Sequence, residues 1–266
     1  TQTGPFDNTF GVVRWVTDHA AALVRAATAV PGGDGPPGTV VLDDDQAPRL
    51  TTIDGTLVVT RMSTLDGRDL VPGRWLREQG LRSGRVASRH GDLAPVAALA
   101  ARSLAHEGFW LRQLGHRPNP LPIPEDAVAG ELCLAESVSG PQWLAALAEV
   151  TGRPVTSAWQ LPSLPPLGPG LAALFAPSAP ITVEPGQDPA GRQAEVVRHG
   201  PYLRDIVARH PRRDLATGPY PVSIGTTHLP AQQLSIRVDA TGAVRLRSPV
   251  WSTRTLTWLA RQVSTP

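Results

Sequence analysis

The sequence predicts an α/β or α+β chain: a mixed sheet with antiparallel hairpins and one short strand–helix–strand unit, helices packed on its faces. Three observations carry this. Residues 131–135, 141–150 and 154–159 read as strand, helix and strand, with Gly152 as the helix stop and the turn 136–140 as its start. Leu234, Ile236 and Val238 alternate with Ser235 and Arg237, and Val244 and Leu246 alternate with Arg245 and Arg247, which is the period of a half-buried hairpin. Phe10, Val13, Val16, Ala20, Leu23 and Ala27 recur at helical spacing, which predicts a helix over 9–29 behind the caps Asp7 and Asn8.

Between these segments the pattern changes quickly. Residues 39–42, 50–53 and 56–63 are short and β-branched, and Asp54-Gly55 is a type I′ turn signal between two of them. Leu65-Asp66-Gly67-Arg68 turns the chain again, so a meander is expected, followed by a short helix near 73–79 and a long one over 92–114. Pro118, Pro120, Pro122 and Pro124 alternate and demand an extended strap. A second Pro-rich stretch, 161–170, precedes a short helix (171–175), a strand (181–184) and a helix over 190–209. The hairpin at 234–247 requires a three-residue loop, Ala240-Thr241-Gly242, because a two-residue loop would mismatch the apolar faces. It sets Val238 against Val244, Ile236 against Leu246 and Arg237 against Arg245. A helix over 253–263 follows. The expected organisation is a single domain over 1–266, with a two-lobed variant (about 1–117 and 125–266) joined by the strap 118–124.

Composition narrows the function classes. With 41% hydrophobic residues a core can form, and no apolar run approaches the ~20 residues of a membrane span, so no membrane partner is expected. The lone Cys133 cannot form an internal disulfide, the start has no secretory pattern, and a cytoplasmic location is the expectation. Net charge is +2, too mild and dispersed for a nucleic-acid partner. Every one of the 25 basic residues is Arg, which removes Schiff-base and P-loop lysine chemistry and leaves planar forks suited to carboxylate and phosphate. No cofactor is expected. Neither is a metal: the seven histidines contain no His-x₃-His or His-Glu-x-x-His spacing, and Asp43-Asp44-Asp45 reads as a solvated turn.

Candidate chemistry is therefore assembled from scattered groups. Cys133, flanked by leucines, reads as a core residue, although His228 and Asp239 follow it in a nucleophile–base–orienter order. Ser137 and Ser139 lie in a strand-to-helix turn, where backbone N–H groups can meet an anion. Arg-His-Gly occurs twice, at 89–91 and 198–200, and resembles the opening of the histidine-phosphatase signature. That resemblance implies His90 or His199 as phosphoryl acceptor and Arg198 as a phosphate holder. Arg237 faces Arg245 across the hairpin, and Ser235 faces Arg247, a like-charge pair that an anion or carboxylate would relieve.

Two functions follow. The first is a small metal-independent enzyme acting on an anionic small molecule or peptide. Arg198, Arg237, Arg245, Arg247, Ser137 and Ser139 would hold the substrate, with His199, His228 or His90 as acid and base; phosphatase-like phosphoryl transfer is its remote variant. The second is a non-catalytic module of scaffold, secretion-system or immunity type that presents the arginine hairpin to an acidic peptide or protein surface.

Overall fold

Trp15 and Val16 extend rather than coil, because Thr17 closes a tight turn. Its hydroxyl accepts from the N–H of Ala20 at 3.0 Å and its own N–H donates to the Ala20 carbonyl at 2.8 Å. The computed structural model describes residues 13–33, 35–43, 47–84, 94–123, 127–135, 138–161, 164, 167–227, 229 and 231–264. Within them the expected N-terminal helix is instead a hairpin, β1 (Arg14–Val16) and β2 (Ala21–Val30). Alanine-rich helical spacing loses here to a ten-residue strand that pairs with β5 (Thr56–Ser63) and buries Ala22 and Leu23 completely on opposite faces.

The chain divides into two compact units: residues 1–105, 164–176 and 202–212 in the first, and 106–163, 177–201 and 213–266 in the second. In the first unit a sheet of order β1-β2-β5-β4-β3 is completed by β3 (Val40–Val41), β4 (Arg49–Thr51) and β6 (Asp69–Leu70), which pairs with β5. This is the expected meander. Its β4–β5 connection is a four-residue loop, 52–55, in which Gly55 alone takes positive φ; a type I′ turn would need Asp54 there too. One core gathers Ala22, Leu50, Val59 and Met62 against Trp75 and Leu76 of α1 (Pro72–Glu78). The other sets Leu23 and Leu65 against Val96 and Ala100 of α2 (Ala94–Ala105) and against Leu174, Phe175 and Leu203, near α5 (Pro169–Ala172) and α7 (Ile206–Arg209). Gly170 is required at its position, because a Cβ would lie 1.7 Å from the Thr17 carbonyl oxygen.

The second unit holds a six-stranded mixed sheet of order β7-β12-β11-β10-β8-β9. Its strands are β7 (Gly130–Leu134), β8 (Val155–Gln160), β9 (Ser178–Val183), β10 (Tyr220–Gly225), β11 (Ala231–Val238) and β12 (Val244–Ser248). The expected strand–helix–strand unit exists as β7, α4 (Gly140–Thr151) and β8, but three strands separate β7 from β8. The hairpin has the expected register, Val238 on Val244, Ile236 on Leu246 and Arg237 on Arg245, with Gly242 at φ +85°. β10 escaped the sequence reading because Pro221 interrupts a strand pattern; the chain absorbs it as a register shift between Tyr220 and Val222. The long helix expected over 92–114 breaks at His106 into α2 and α3 (Glu107–Leu114), and the one over 190–209 breaks at Gly200-Pro201 into α6 (Pro189–His199) and α7. Helix α8 (Thr253–Ser264) packs with α4, which also meets α6.

The proline strap is docked. Gln233, buried on β11, donates to the Leu121 carbonyl at 2.8 Å and accepts its N–H at 2.6 Å, and Trp251 Nε1 donates to the Pro122 carbonyl.

In the first unit Asp205, only 1% exposed, is held by Arg14 and by Arg209 Nε at 3.2 Å, while burial pulls the Arg14 guanidinium below its ordinary pKa. Removing one partner strands buried charge. Asp205→Asn is therefore expected to lower unfolding stability by about 3–5 kcal/mol in urea titration; a loss below about 1 kcal/mol would show the cluster to be solvated.

Candidate functional site

Three parallel strand ends meet in the second unit. β8 and β11 both run parallel to β10, and their C-terminal residues contribute Trp159, Gln160, Ile224, Gly225 and Val238 to a cleft of about 340 Å³. Leu161, Thr226, Gly140 at the start of α4, and Gln193 and Val197 of α6 complete its walls. The crevice beyond the carboxyl ends of parallel strands is where open α/β sheets hold ligands. Two glycines make the cleft possible: a Cβ on Gly140 would lie 2.6 Å from the Trp159 ring, and one on Gly225 would lie 2.4 Å from Gln160 Oε1.

The opposite feature is a charged face. On β7, β12 and β11 alternate residues point away from the core, so Glu131, Cys133, Arg245, Arg247 and Arg237 are exposed together. Cys133 is thus not the core residue its leucine neighbours suggested. Leu132 and Leu134 turn toward the core, and the period of two turns the thiol outward opposite Arg245. Glu131 lies directly opposite Arg247 and 3.6 Å from Arg245 Nε, across a pairing of β7 with β12 that the hairpin alone did not announce. Arg237 leans the other way, its Nε donating to the Thr226 carbonyl at 3.1 Å. The like-charged pair Arg237–Arg245 is accommodated because each guanidinium swings to its own acceptor.

The remaining candidates are dispersed. Ser139 is the N-cap of α4 in a full capping box, its N–H donating to Gln142 Oε1 at 2.9 Å and its hydroxyl accepting from the Gln142 N–H. His90, Ser137 and His228 lie outside the described residues. Asp239 serves the hairpin tip, where Oδ1 accepts from the Thr241 hydroxyl at 2.6 Å and from the N–H groups of Thr241 and Ala243. The Thr241 hydroxyl first, with those N–H groups, holds its carboxyl below the ordinary range.

His199 and Arg198 end helix α6, where the macrodipole is negative and disfavours phosphate. The His199 ring stacks on Phe109 with centroids 3.8 Å apart and meets His106 edge-on at 4.7 Å. Its Nδ1 is buried with no hydrogen-bond partner. Burial, then the charges of His106 and Arg198, pull its pKa below 6.5. Among the described residues, neither His199 nor any other titratable group lines the cleft. Among the described residues no group of three or more His, Cys, Asp or Glu side chains could hold a metal ion, and no helix is long and apolar enough to cross a membrane.

Sequence reasoning missed Gln160, Thr226 and Thr227. Gln160 directly follows the strand read at 154–159, and the signal for the two threonines was the β-branched stretch 222–227, obscured by Pro219 and Pro221.

No protein-family model matches the chain, and no curated protein matches it. Among solved structures it is similar to the starter condensation domain of the rhizomide synthetase RzmA, with TM-score 0.39 and 13% identity over 71% of this chain and 55% of that one. It is also similar to a chain of the complex of the X-domain and OxyB from teicoplanin biosynthesis (TM-score 0.38, 16%, 81% and 67%). A third is the first condensation domain of the CDA synthetase (TM-score 0.35, 15%, 73% and 58%). The chain spans a little over half the length of the rhizomide synthetase domain. Likeness at this level assigns no function.

The His199 contact is testable. Because its pKa is lowered in the folded chain, the unfolded state binds more protons once pH falls below about 6.5, so the stabilisation present above that pH is lost on acidification. Nuclear magnetic resonance titration should find the His199 ring titrating below 6.5, and His199→Phe should reduce the loss of stability as pH falls below that value. A His199 that titrates above 6.5 would contradict the stacked, desolvated ring.

Proposed function

We propose that this chain is a recognition module that binds an acidic, extended peptide or protein segment on the arginine face of β11, β12 and β7. The observation that carries this reading is three guanidiniums on one exposed surface, Arg237, Arg245 and Arg247, with the carboxylates of Glu131 beside Arg245 and of Asp239 at the hairpin tip beyond Arg237. Arg245 and Arg247 are two residues apart on one strand, about 7 Å, which is also the spacing of same-face side chains on an extended ligand. Guanidinium forks take carboxylates in bidentate pairs. A ligand with Glu or Asp at alternate positions would relieve the repulsion that Arg237 and Arg245 now avoid by swinging apart.

Exposed ion pairs contribute about 0.2–1 kcal/mol each, so three together give roughly 1–2 kcal/mol, or about tenfold in affinity. Fluorescence anisotropy with an alternating Glu-Val peptide tests this. The triple variant Arg237→Gln, Arg245→Gln, Arg247→Gln should bind about tenfold more weakly, and binding should weaken as salt rises. Equal binding by the wild type and the triple variant would overturn the reading.

A second reading is an enzyme acting on an anionic small molecule or peptide, with arginines orienting the substrate. It is favoured by the position of the cleft at the ends of three parallel strands. Since His199 is absent from the cleft lining, this reading gives the acid–base role to His228, which follows Thr227 in sequence. A panel of p-nitrophenyl esters and p-nitrophenyl phosphate decides it: the enzyme reading expects turnover that His228→Ala reduces at least a hundredfold. No turnover by the wild type contradicts it.

A further inference from the structure

One oxygen atom in the second unit is surrounded by more donors than it can satisfy. Gln160 Oε1, at the end of β8, accepts the N–H of Thr226 at 2.6 Å and the N–H of Thr227 at 3.0 Å. The hydroxyls of the same two residues lie 3.2 Å and 3.3 Å away. An amide oxygen has two lone pairs, so four donors exceed its capacity. Consecutive backbone N–H groups aimed at one point form the concavity that proteins use for anions, and each donor would gain from a charged acceptor, whose hydrogen bonds are about twice as strong as neutral ones.

The surroundings fit such a ligand. The loop leaves the C-terminal end of β10, and Arg237 fixes it from outside by donating to the Thr226 carbonyl. Gly225 keeps the space open, since any Cβ there would press on Gln160. Beside this concavity lies the cleft of about 340 Å³, walled by Trp159, Leu161, Ile224, Val238 and Val197. A cleft of that size is at the small end of ligand sites.

We propose that the Thr226–Thr227 loop is a carboxylate-binding site for a small organic acid with an apolar tail, and that Gln160 is its built-in occupant. The carboxylate takes the donors of Thr226 and Thr227, the tail enters the apolar cleft, and the Gln160 side chain swings out. The site is separate from the arginine face and does not depend on the docking reading. Because Gln160 competes for the same donors, the free protein binds its ligand more weakly than the bare loop would.

Hexanoate is the probe, followed through the backbone amide resonances of Thr226 and Thr227 in the full chain. Wild-type protein should show both amides shifting on titration, with no shift for hexanol. Gln160→Ala removes the competitor and should bind hexanoate at least threefold more tightly. Gln160→Glu places a tethered carboxylate among the donors and should bind at least tenfold more weakly. These opposite directions separate occupancy from a fold defect, which would weaken both variants alike. Unmoved Thr226 and Thr227 amides in the wild type and in Gln160→Ala would overturn the site, as would equal affinity in all three proteins. Preference for hexyl phosphate over hexanoate would overturn the carboxylate assignment. Loss of hexanoate binding in the double variant Arg245→Gln, Arg247→Gln, with Arg237 and Gln160 intact, would show that the arginine face and not this loop holds the anion.

Discussion

The register of the β11–β12 hairpin decides what the second unit presents. Val244 and Leu246 are almost fully buried, as are Leu234 and Ile236 opposite, and each such side chain contributes about 1.5–3 kcal/mol on burial. A slip of one residue would exchange them for Arg245 and Arg247, placing guanidiniums in a core. Asp239 and Gly242 guard against that slip at the tip, one through three accepted hydrogen bonds and the other by accepting φ +85°. With the register held, the arginines face outward, and β12 has its free side available to β7, which brings Glu131 to the same face.

That pairing makes the face a controlled one. Three guanidiniums on adjacent strands would repel, yet Arg245 has Glu131 and Arg237 has the Thr226 carbonyl. Both contacts are exposed and cheap to exchange, which suits a surface that trades them for a ligand's carboxylates. Arg237 also ties this face to the loop that closes around Gln160, so the two anion-seeking features share one side chain without sharing a ligand.

Much of the second unit was legible because its strands obey local rules. The hairpin alternates strictly, α4 carries a capping box at Ser139 and a left-handed glycine at Gly152, and the proline strap runs extended. The first unit misled where composition imitates a helix: Ala21–Val30 has helical spacing, but seven ladder pairs with β5 outweigh propensity. Cys133 misled because its strand was read without its neighbour; the face a residue takes depends on which side of the pleat the core occupies. The cleft was invisible for a deeper reason. Its parts come from residues 140, 159–161, 193, 197, 224–226 and 238, and only the parallel pairing of β8, β10 and β11, with α4 and α6 packed nearby, brings them together. Half-buried His199 gave a motif-like tripeptide whose local structure, a helix end packed on Phe109, has no phosphate cradle.

Recognition by the second unit, as proposed, requires that the arginine face meet carboxylates. The most direct measurement follows the Nε–H resonances of Arg237, Arg245 and Arg247 while a short polyglutamate is added at low salt. These three signals should move together and saturate together, while those of Arg74 and Arg117 stay in place. Three stationary signals, or a uniform drift of every exposed arginine, would contradict it.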